Sequence, residues 1–300
     1  MTKEWIEAQF KALQLSIIEA LEATDGIGKF GIDSWEHAQG GGGISRVITN
    51  GRIIEKGGVN FSAVQGTLSS AASKALQIDA DNFYATGVSI VIHPNHPMVP
   101  IIHMNVRYFE VEGGEYWFGG GIDLTPHYVN KVEARFFHSK LKEVCDQFDT
   151  GFYAKYKAWA DDYFFLPHRD ETRGIGGLFF DRLNTESTGL EKERIAEFVL
   201  AIGGVFAPTY TALMNKNSGR IYKEANKKWQ LLRRGRYVEF NLAYDRGTRF
   251  GLETGGRTES ILMSLPSNAS WEYNYKPEAN SAEQETLDLL KKDIDWLNAE

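Results

Sequence analysis

Three stretches in the middle of the chain alternate apolar and polar residues, and this alternation constrains the fold more than any other feature. They cover residues 84–93, 100–111 and 115–124. Side chains along an extended strand point to opposite faces in turn, so each stretch predicts a strand with one apolar face. Gly113-Gly114 separates the last two stretches, and a short glycine turn between two such runs is typical of an antiparallel hairpin.

Helical and strand patterns flank these stretches. Apolar residues at three- and four-residue steps from Trp5 to Leu21 predict a helix that Gly26 can end. Asn50-Gly51 predicts a second hairpin, because both positions accept a positive φ. Further helices are predicted at 127–165, about 190–214, about 219–233 and about 282–298, and further strands at 175–183 and 237–245. Strands in hairpins followed by helices favour an α+β fold with a large, mainly antiparallel β-sheet in a single domain, 1–300.

The polar faces of three predicted strands carry groups that can bind and react. They bear His103, Asn105 and Arg107 on one strand, Ser89 and His93 on a second, and Glu239, Asn241 and Asp245 on 237–245. A polar strand face often meets water. Solvated faces usually carry Lys, Glu and Thr, however, whereas this set is typical of the floor of a polar pocket.

Composition and motifs exclude several classes of function. A net charge of -7 argues against a nucleic-acid partner. No apolar run reaches the roughly 20 residues of a membrane span, and no targeting leader is recognisable, which predicts a cytoplasmic protein. The single cysteine, Cys145, excludes an intrachain disulfide and is predicted to be buried.

The glycine-rich segments match no cofactor motif. Gly40–Gly43 lacks a following Gly-Lys-Ser/Thr, and Gly119–Gly121 lacks the spacing of a dinucleotide fold. No organic cofactor is therefore expected. Redox chemistry would need a substrate that reacts with O2 itself, or a metal.

Histidines and arginines are the remaining reactive groups. The seven histidines form no HExxH or Cys/His zinc signature, although imidazole is a natural proton donor near neutral pH. Arg246 follows Asp245, and Arg257 follows Gly255-Gly256. Guanidinium binds carboxylate with two hydrogen bonds, and glycine lets the backbone approach a ligand, so this region suits a polycarboxylate.

Several strings together resemble the aerobic, oxygen-dependent coproporphyrinogen III oxidases. They are His93-Pro94, His103–Phe109, Trp117–Pro126, Asp161–Phe164, His168-Arg169, Arg173–Asp181, Arg234–Leu242 and Tyr244–Thr248, in order between about residues 30 and 275. The resemblance implies a sheet sandwiched between helices, and a homodimer with its main contacts in roughly 237–272.

The resemblance also implies roles for particular residues. His103 would be the proton donor. The substrate would contact Ser89, Asn105, Val106, Arg107, Gly255, Gly256 and Arg257, and a divalent metal cation would bind His93, His103, His138 and His168. The chain departs from the family in carrying His96 where Asn is usual and Ile101 where Thr is usual, so His96 would supplement the implied metal site or compete with it.

The implied reaction converts two propionates of coproporphyrinogen III to vinyls with O2, giving protoporphyrinogen IX in haem biosynthesis. Arg107, Arg246 and Arg257 would hold the carboxylates, and Asp123 or Asp245 would accept a pyrrole N–H. Two other classes stay open: a metal-dependent hydrolase built on the histidines, and a tetrapyrrole carrier without activity.

Overall fold

The computed structural model describes residues 1–68, 73, 74, 78 and 80–299. These residues form a seven-stranded sheet in which each strand is antiparallel to the next. Its strands, in spatial order, are β1 (Gly31–Glu36), β2 (Gly41–Thr49), β3 (Ile54–Thr67), β4 (Asn82–Pro94), β5 (Ile101–Val111), β6 (Tyr116–Thr125) and β9 (Gly177–Leu183). Two short strands, β7 (Phe165–Leu166) and β8 (Glu171–Thr172), pair separately.

Helices cover both faces of this sheet. They are α1 (Lys3–Asp25), α2 (Lys131–Cys145), α3 (Phe152–Tyr163), α4 (Thr185–Thr188), α5 (Lys192–Asn217), α6 (Glu224–Ala243), α7 (Arg246–Glu253), α8 (Thr258–Leu262) and α9 (Ala282–Leu289). α1, α2 and α5 pack on one face, and α6 and α8 lie on part of the other. The predicted α+β fold with an antiparallel sheet between helices is confirmed.

The apolar face of the sheet holds the main core. Ile102, Met104 and Val106 of β5 are 0% exposed and belong to one buried cluster with Phe10 of α1 and Ile202 of α5. Burying an apolar side chain of this size contributes about 1.5–3 kcal/mol. The period-two alternation therefore decides which face of the sheet the helices α1, α2 and α5 cover.

Both predicted hairpins are present. Asn50 has φ 56° between β2 and β3, and its N–H donates to the Glu55 carbonyl at 2.9 Å. Gly113 and Gly114 have φ of 100° and 91° between β5 and β6. These turns fix the register, so each polar residue on one strand has a defined neighbour on the next.

The predicted strand at 237–245 is wrong, because residues up to Ala243 belong to α6. Tyr237, Phe240 and Asn241 are buried at helical spacing, whereas Leu242 is 50% exposed. A short segment can satisfy both periods, and only its continuation from residue 224 shows which one applies. The predicted helix at 282–298 is confirmed only as α9, which ends at Leu289.

Helix α5 is long and apolar enough to cross a membrane, judged by length and composition alone within the described residues. Half of its most apolar window is nevertheless buried, and Phe198, Ile202 and Phe206 pack in the main core. A helix that is apolar on most sides is expected in the centre of a large core. Packing in the core therefore accounts for the composition of α5.

Asp25, at the end of α1, is a buried carboxylate that joins the helix to the β2–β3 hairpin. It is 0% exposed and accepts the N–H groups of Gly28, Arg52, Ile53 and Ile54 at 2.7 to 2.9 Å. Burial raises the pKa of this carboxyl, but these backbone donors outweigh it and leave the pKa below its ordinary value. The anion is thus the form that the fold stabilises.

We expect Asp25→Ala to lower the free energy of unfolding by about 3 kcal/mol or more, because it leaves buried N–H groups without an acceptor. Urea denaturation measures this, with Glu19→Ala on the exposed side of α1 as a control that changes little. Because the folded pKa is depressed, the contribution of Asp25 is present above the ordinary carboxyl pKa and is lost as pH falls through the folded value. The difference in the free energy of unfolding between the wild type and Asp25→Asn should therefore shrink at low pH. A difference that stays constant from pH 7 to pH 2 would contradict this assignment.

Candidate active site

The face of the sheet opposite the main core carries a row of polar residues that the strand register places side by side. Asp33, Ser45, Asn60, Ser89, Asn105, Gly121 and Phe179 are successive cross-strand partners from β1 to β9. We call Ser45, Asn60, Ser89, Asn105 and Gly121 the polar floor. Neighbouring strands lie about 4.8 Å apart, so the floor from β2 to β6 spans about 19 Å. The sequence prediction that Ser89 and Asn105 share this face is confirmed.

Val106 does not share it. Its side chain is 0% exposed on the opposite, helix-covered face, because it alternates with Asn105 and Arg107 along β5. A ligand on the polar floor could therefore meet Val106 through its main chain only.

His103 lies one step along β5 from the floor and is held by a buried ion pair. Its Nδ1 is 2.8 Å from Asp123 Oδ1 on β6. Arg173 donates two hydrogen bonds to the Asp123 carboxylate, at 2.7 and 3.2 Å, and a third to Asn241 Oδ1 on α6 at 2.8 Å. Asp123 and Arg173 are 1% and 3% exposed. The Asp123–Arg173 pair therefore fixes the orientation of the His103 ring, and Nε2 is the nitrogen left to react with a ligand.

The charge of Asp123 is maintained by its partners. Burial raises the pKa of this carboxyl, while Arg173 and His103 lower it, and the net pKa lies below the ordinary value. The Arg173 guanidinium also lies over the Phe164, Tyr237 and Phe240 rings at 4.4 to 4.7 Å. Aromatic faces stabilise such a cation where water is excluded.

Asp245 approaches the same face from the start of α7. Its Oδ2 accepts the Thr248 N–H and hydroxyl at 2.8 and 2.7 Å, and its Oδ1 accepts the Tyr163 hydroxyl at 2.8 Å. The Tyr163 ring stacks on Phe179 at 3.9 Å, and Phe179 is the floor neighbour of Gly121. Burial raises the pKa of Asp245, but the Thr248 bonds and the Arg173 charge bring it below the ordinary value.

The predicted arginines stand around this face. The Arg246 guanidinium is 5.8 Å from the centre of the Tyr163 ring. Arg107 donates to Asn105 Oδ1 and Asp181 Oδ1, each at 2.9 Å. These two cations lie at the β5–β9 side of the face, near Asp245.

Arg257 lies at the other side, where α8 meets β1 and β2. It donates to Ser260 Oγ at 3.0 Å and to Asp33 Oδ2 at 2.5 Å. The preceding Gly255 has φ 76°, and the N–H of Gly256 is bound to the Gly251 carbonyl at 2.7 Å. A left-handed conformation at residue 255 favours glycine. The structure thus brings the predicted Gly255–Arg257 loop to the edge of the polar floor.

The four histidines predicted to bind a metal do not converge within the described chain. Buried His93 donates from Nε2 to the Ser264 carbonyl at 2.8 Å. The nitrogens of His138 contact the Tyr153 hydroxyl and the Ile175 carbonyl, each at 3.0 Å, and those of His168 contact Glu239 and Tyr244 at 2.7 and 3.0 Å. Burial lowers the pKa of His93 and of His138 to about 3.

The metal prediction therefore lacks a matching donor set. Among the described residues no three His, Cys, Asp or Glu side chains lie together as a metal site would need.

The family departure at His96 has a separate explanation. Its Nε2 donates to the Arg220 carbonyl at 2.7 Å and its Nδ1 accepts the Met98 N–H at 3.1 Å, so it fastens the β4–β5 turn to the α5–α6 connection.

Sequence reasoning gave no role to Arg173, Tyr163 or Asp181, although all three lie in strings that carry the family resemblance. Each acts through a partner far along the chain: Asp123, Asp245 and Arg107 respectively. Local periodicity does not encode such pairings. The glycines between Arg173 and Asp181 were the available signal, since Gly176 and Gly177 both have positive φ of 72° and 159°.

We expect Arg173→Met to destabilise the protein by about 3–5 kcal/mol, because it leaves the Asp123 charge buried without a cation. The matched control is Arg249→Met, which breaks an exposed contact to Glu253 at 3.8 Å and should cost less than about 1 kcal/mol. Chemical denaturation of both variants measures the difference. Similar losses in the two variants would show that the buried pair has no special role.

The sequence of this chain is similar to a known enzyme family over almost its whole length. Residues 5–296 match the family described as coproporphyrinogen III oxidase. The chain is 47% identical over 310 aligned positions to the mitochondrial oxygen-dependent coproporphyrinogen-III oxidase of Rattus norvegicus, covering 99% of this chain and 69% of that protein. It is 44% identical over 306 positions to the chloroplastic coproporphyrinogen-III oxidase 1 of Arabidopsis thaliana, covering 97% and 78%. This chain belongs to the coproporphyrinogen III oxidase family.

Proposed function

We propose that this protein catalyses the oxygen-dependent decarboxylation of two propionates of coproporphyrinogen III to vinyls, giving protoporphyrinogen IX in haem biosynthesis. The observation that carries the proposal is the arrangement of His103, oriented by the Asp123–Arg173 pair, on a half-open polar face with arginines at both sides. A positioned acid next to several carboxylate-binding cations suits a substrate with four propionates. The names of the relatives agree with this reaction.

Binding would depend on the rim of the polar floor. Arg107, Arg246 and Arg257 carry the positive charge that the propionates need, and guanidinium binds carboxylate through two parallel hydrogen bonds. Ser89 and Asn105 offer hydrogen bonds from the floor between them. Fixing several carboxylates at once would position the reacting propionate, and positioning supplies much of the rate gain of an enzyme.

The chemistry per propionate balances without an organic cofactor. The propionate loses its carboxylate as CO2 and a hydrogen from its β-carbon, a two-electron oxidation that forms the vinyl double bond. O2 accepts those two electrons and, with the β-hydrogen and one further proton, leaves as hydrogen peroxide. His103 is suited to deliver this further proton through Nε2, because Asp123 occupies Nδ1.

Of the two carboxylates considered for the pyrrole N–H, Asp245 is the better supported. Asp123 is 1% exposed and lies behind His103 and Arg173, which both bind it. Asp245 is only partly buried, and its lowered pKa keeps it anionic at neutral pH, as an acceptor must be. Binding the pyrrole N–H at Asp245 would raise the electron density of the ring that reacts with O2.

The resemblance implies a divalent metal, but the described histidines do not form a donor set that fits one. Homodimerisation through roughly 237–272 is proposed on the exposure of Leu242, Leu252 and Trp271, at 50, 42 and 55%, since exposed apolar groups favour association. A cytoplasmic location stays a proposal, and the two relatives are named mitochondrial and chloroplastic.

Purified protein incubated with coproporphyrinogen III in air should form the divinyl product, measured by chromatography, and should form none under nitrogen. His103→Ala should lower kcat by about 100-fold or more, because general acid catalysis is lost. His37→Ala, outside the floor, is the control and should keep the wild-type rate. Equal turnover under nitrogen would refute the proposed reaction, and a fully active His103→Ala would refute His103 as its proton donor. Chelation is expected to leave the rate in air unchanged.

A second variant tests whether Arg107, at the rim of the floor, binds the substrate. A Cβ at Gly119 would lie 2.8 Å from Arg107 Nε and 2.5 Å from Asp181 Oδ1, so Gly119→Ala should displace the guanidinium. We expect KM to rise about tenfold, which corresponds to losing one charge-assisted hydrogen bond. Gly204→Ala on α5, where a Cβ meets nothing within 4 Å, should leave KM unchanged. An unaltered KM in Gly119→Ala would remove Arg107 from substrate binding.

A further inference from the structure

Two of the arginines that flank the polar floor are already paired with carboxylates of the protein. Arg107 binds Asp181 at 2.9 Å at one side, and Arg257 binds Asp33 at 2.5 Å at the other. Each arginine also donates a hydrogen bond to a residue of the polar floor: Arg107 to Asn105 Oδ1 and Arg257 to Ser45 Oγ. Asn60 and Ser89 lie between these two acceptors in the row. The same motif thus occurs at both sides of the surface that a polycarboxylate would occupy.

The Asp181 carboxylate lies against β6 at Gly119, next to the polar floor. A Cβ at Gly119 would be 2.5 Å from Asp181 Oδ1 and 2.8 Å from both Arg107 Nε and Nη2. The pair therefore rests flat against the backbone of β6, in the space above a strand that has no side chain at this position. A ligand carboxylate that binds Arg107 Nη2 from this side competes with Asp181 for it.

The Asp33 carboxylate occupies the corresponding position on the far side. It is the cross-strand partner of Ser45, and Ser45 Oγ lies 3.0 Å from Ser260 Oγ and 3.5 Å from Arg257 Nη1. The Arg257 fork is thus shared between two hydroxyls and one carboxylate. Removing Asp33 from it leaves Arg257 Nη2 without its carboxylate partner, while Nη1 keeps the two hydroxyls.

Both pairs are partly open to solvent. The side chains of Arg107 and Asp181 are 38 and 35% exposed, and those of Arg257 and Asp33 are 29 and 53% exposed. Ion pairs with this exposure contribute little to stability. By contrast, the Asp123–Arg173 pair behind His103 is almost fully buried, and breaking it would be strongly unfavourable. The rim pairs are therefore the exchangeable ones.

We propose that Asp181 and Asp33 act as internal substitutes for two substrate propionates, which displace them from Arg107 and Arg257 on binding. The proposal rests on the proposed function and adds two specificity-determining residues to it. Because a carboxylate replaces a carboxylate, each arginine stays neutralised before and after binding. A tetrapyrrole that lacks carboxylates at these two positions cannot displace either aspartate, so both ion pairs stay intact.

The test compares Asp181→Asn and Asp33→Asn with the wild type. Each substitution removes a competing negative charge and keeps the side-chain size. The dissociation constant of coproporphyrin III, the oxidised and unreactive ring, should fall about three- to fivefold in each variant, as expected for loss of one exposed ion pair. KM for coproporphyrinogen III should fall by a larger factor than kcat changes.

Asp162→Asn is the matched control, since it removes the same charge from an exposed pair with Lys292 at 2.9 Å, and its dissociation constant should equal that of the wild type. Unchanged or weaker binding by Asp181→Asn and Asp33→Asn would overturn the inference. So would a loss of binding together with a lower melting temperature, which a structural role produces. If the wild type itself neither binds coproporphyrin III nor forms vinyl product, the proposed function fails first. If the wild type turns over but neither variant binds coproporphyrin III more tightly, only the proposed displacement of Asp33 and Asp181 by propionates is refuted.

Discussion

The buried ion pair between Asp123 and Arg173 is the interaction on which the site depends. It joins β6, the segment before β9 and, through Asn241, helix α6. Because both groups are removed from water, neither can lose its partner without a large cost. The His103 ring is hydrogen-bonded to this pair at Nδ1, so the position of the proposed proton donor is determined by a buried ion pair.

Around that contact the chain uses two kinds of electrostatic pair for different purposes. The buried pair has no exchangeable partner and fixes orientation. The rim pairs of Arg107 and Arg257 are partly solvated, so a ligand carboxylate can compete for the guanidinium at little cost. The antiparallel sheet makes this division possible, since one face is filled by α1, α2 and α5 and the other is only partly covered.

Much of this could be predicted from the sequence where the pattern is local. The alternation in β4 and β5 predicts which side chains lie on each face of the sheet, and the turns at Gly113-Gly114 and Asn50-Gly51 predict which strands pair. The segment 237–245 could not be assigned in this way, because its alternation also fits the last turns of α6. The partners Arg173, Asp181 and Asp33 were not predictable either, since each meets its counterpart only after the sheet has formed.

The implied metal shows the limit of a resemblance. Four histidines can be carried over by position, but at least one ring nitrogen of each has a hydrogen-bond partner that only the folded chain reveals. The tetrapyrrole is expected to bind on the partly covered side of the sheet. A crystal structure of the protein with coproporphyrin III tests it most directly. We predict the ring above Ser89 and Asn105, with His103 Nε2 in contact with it. A ring bound away from this face, with His103 facing solvent, would contradict the account.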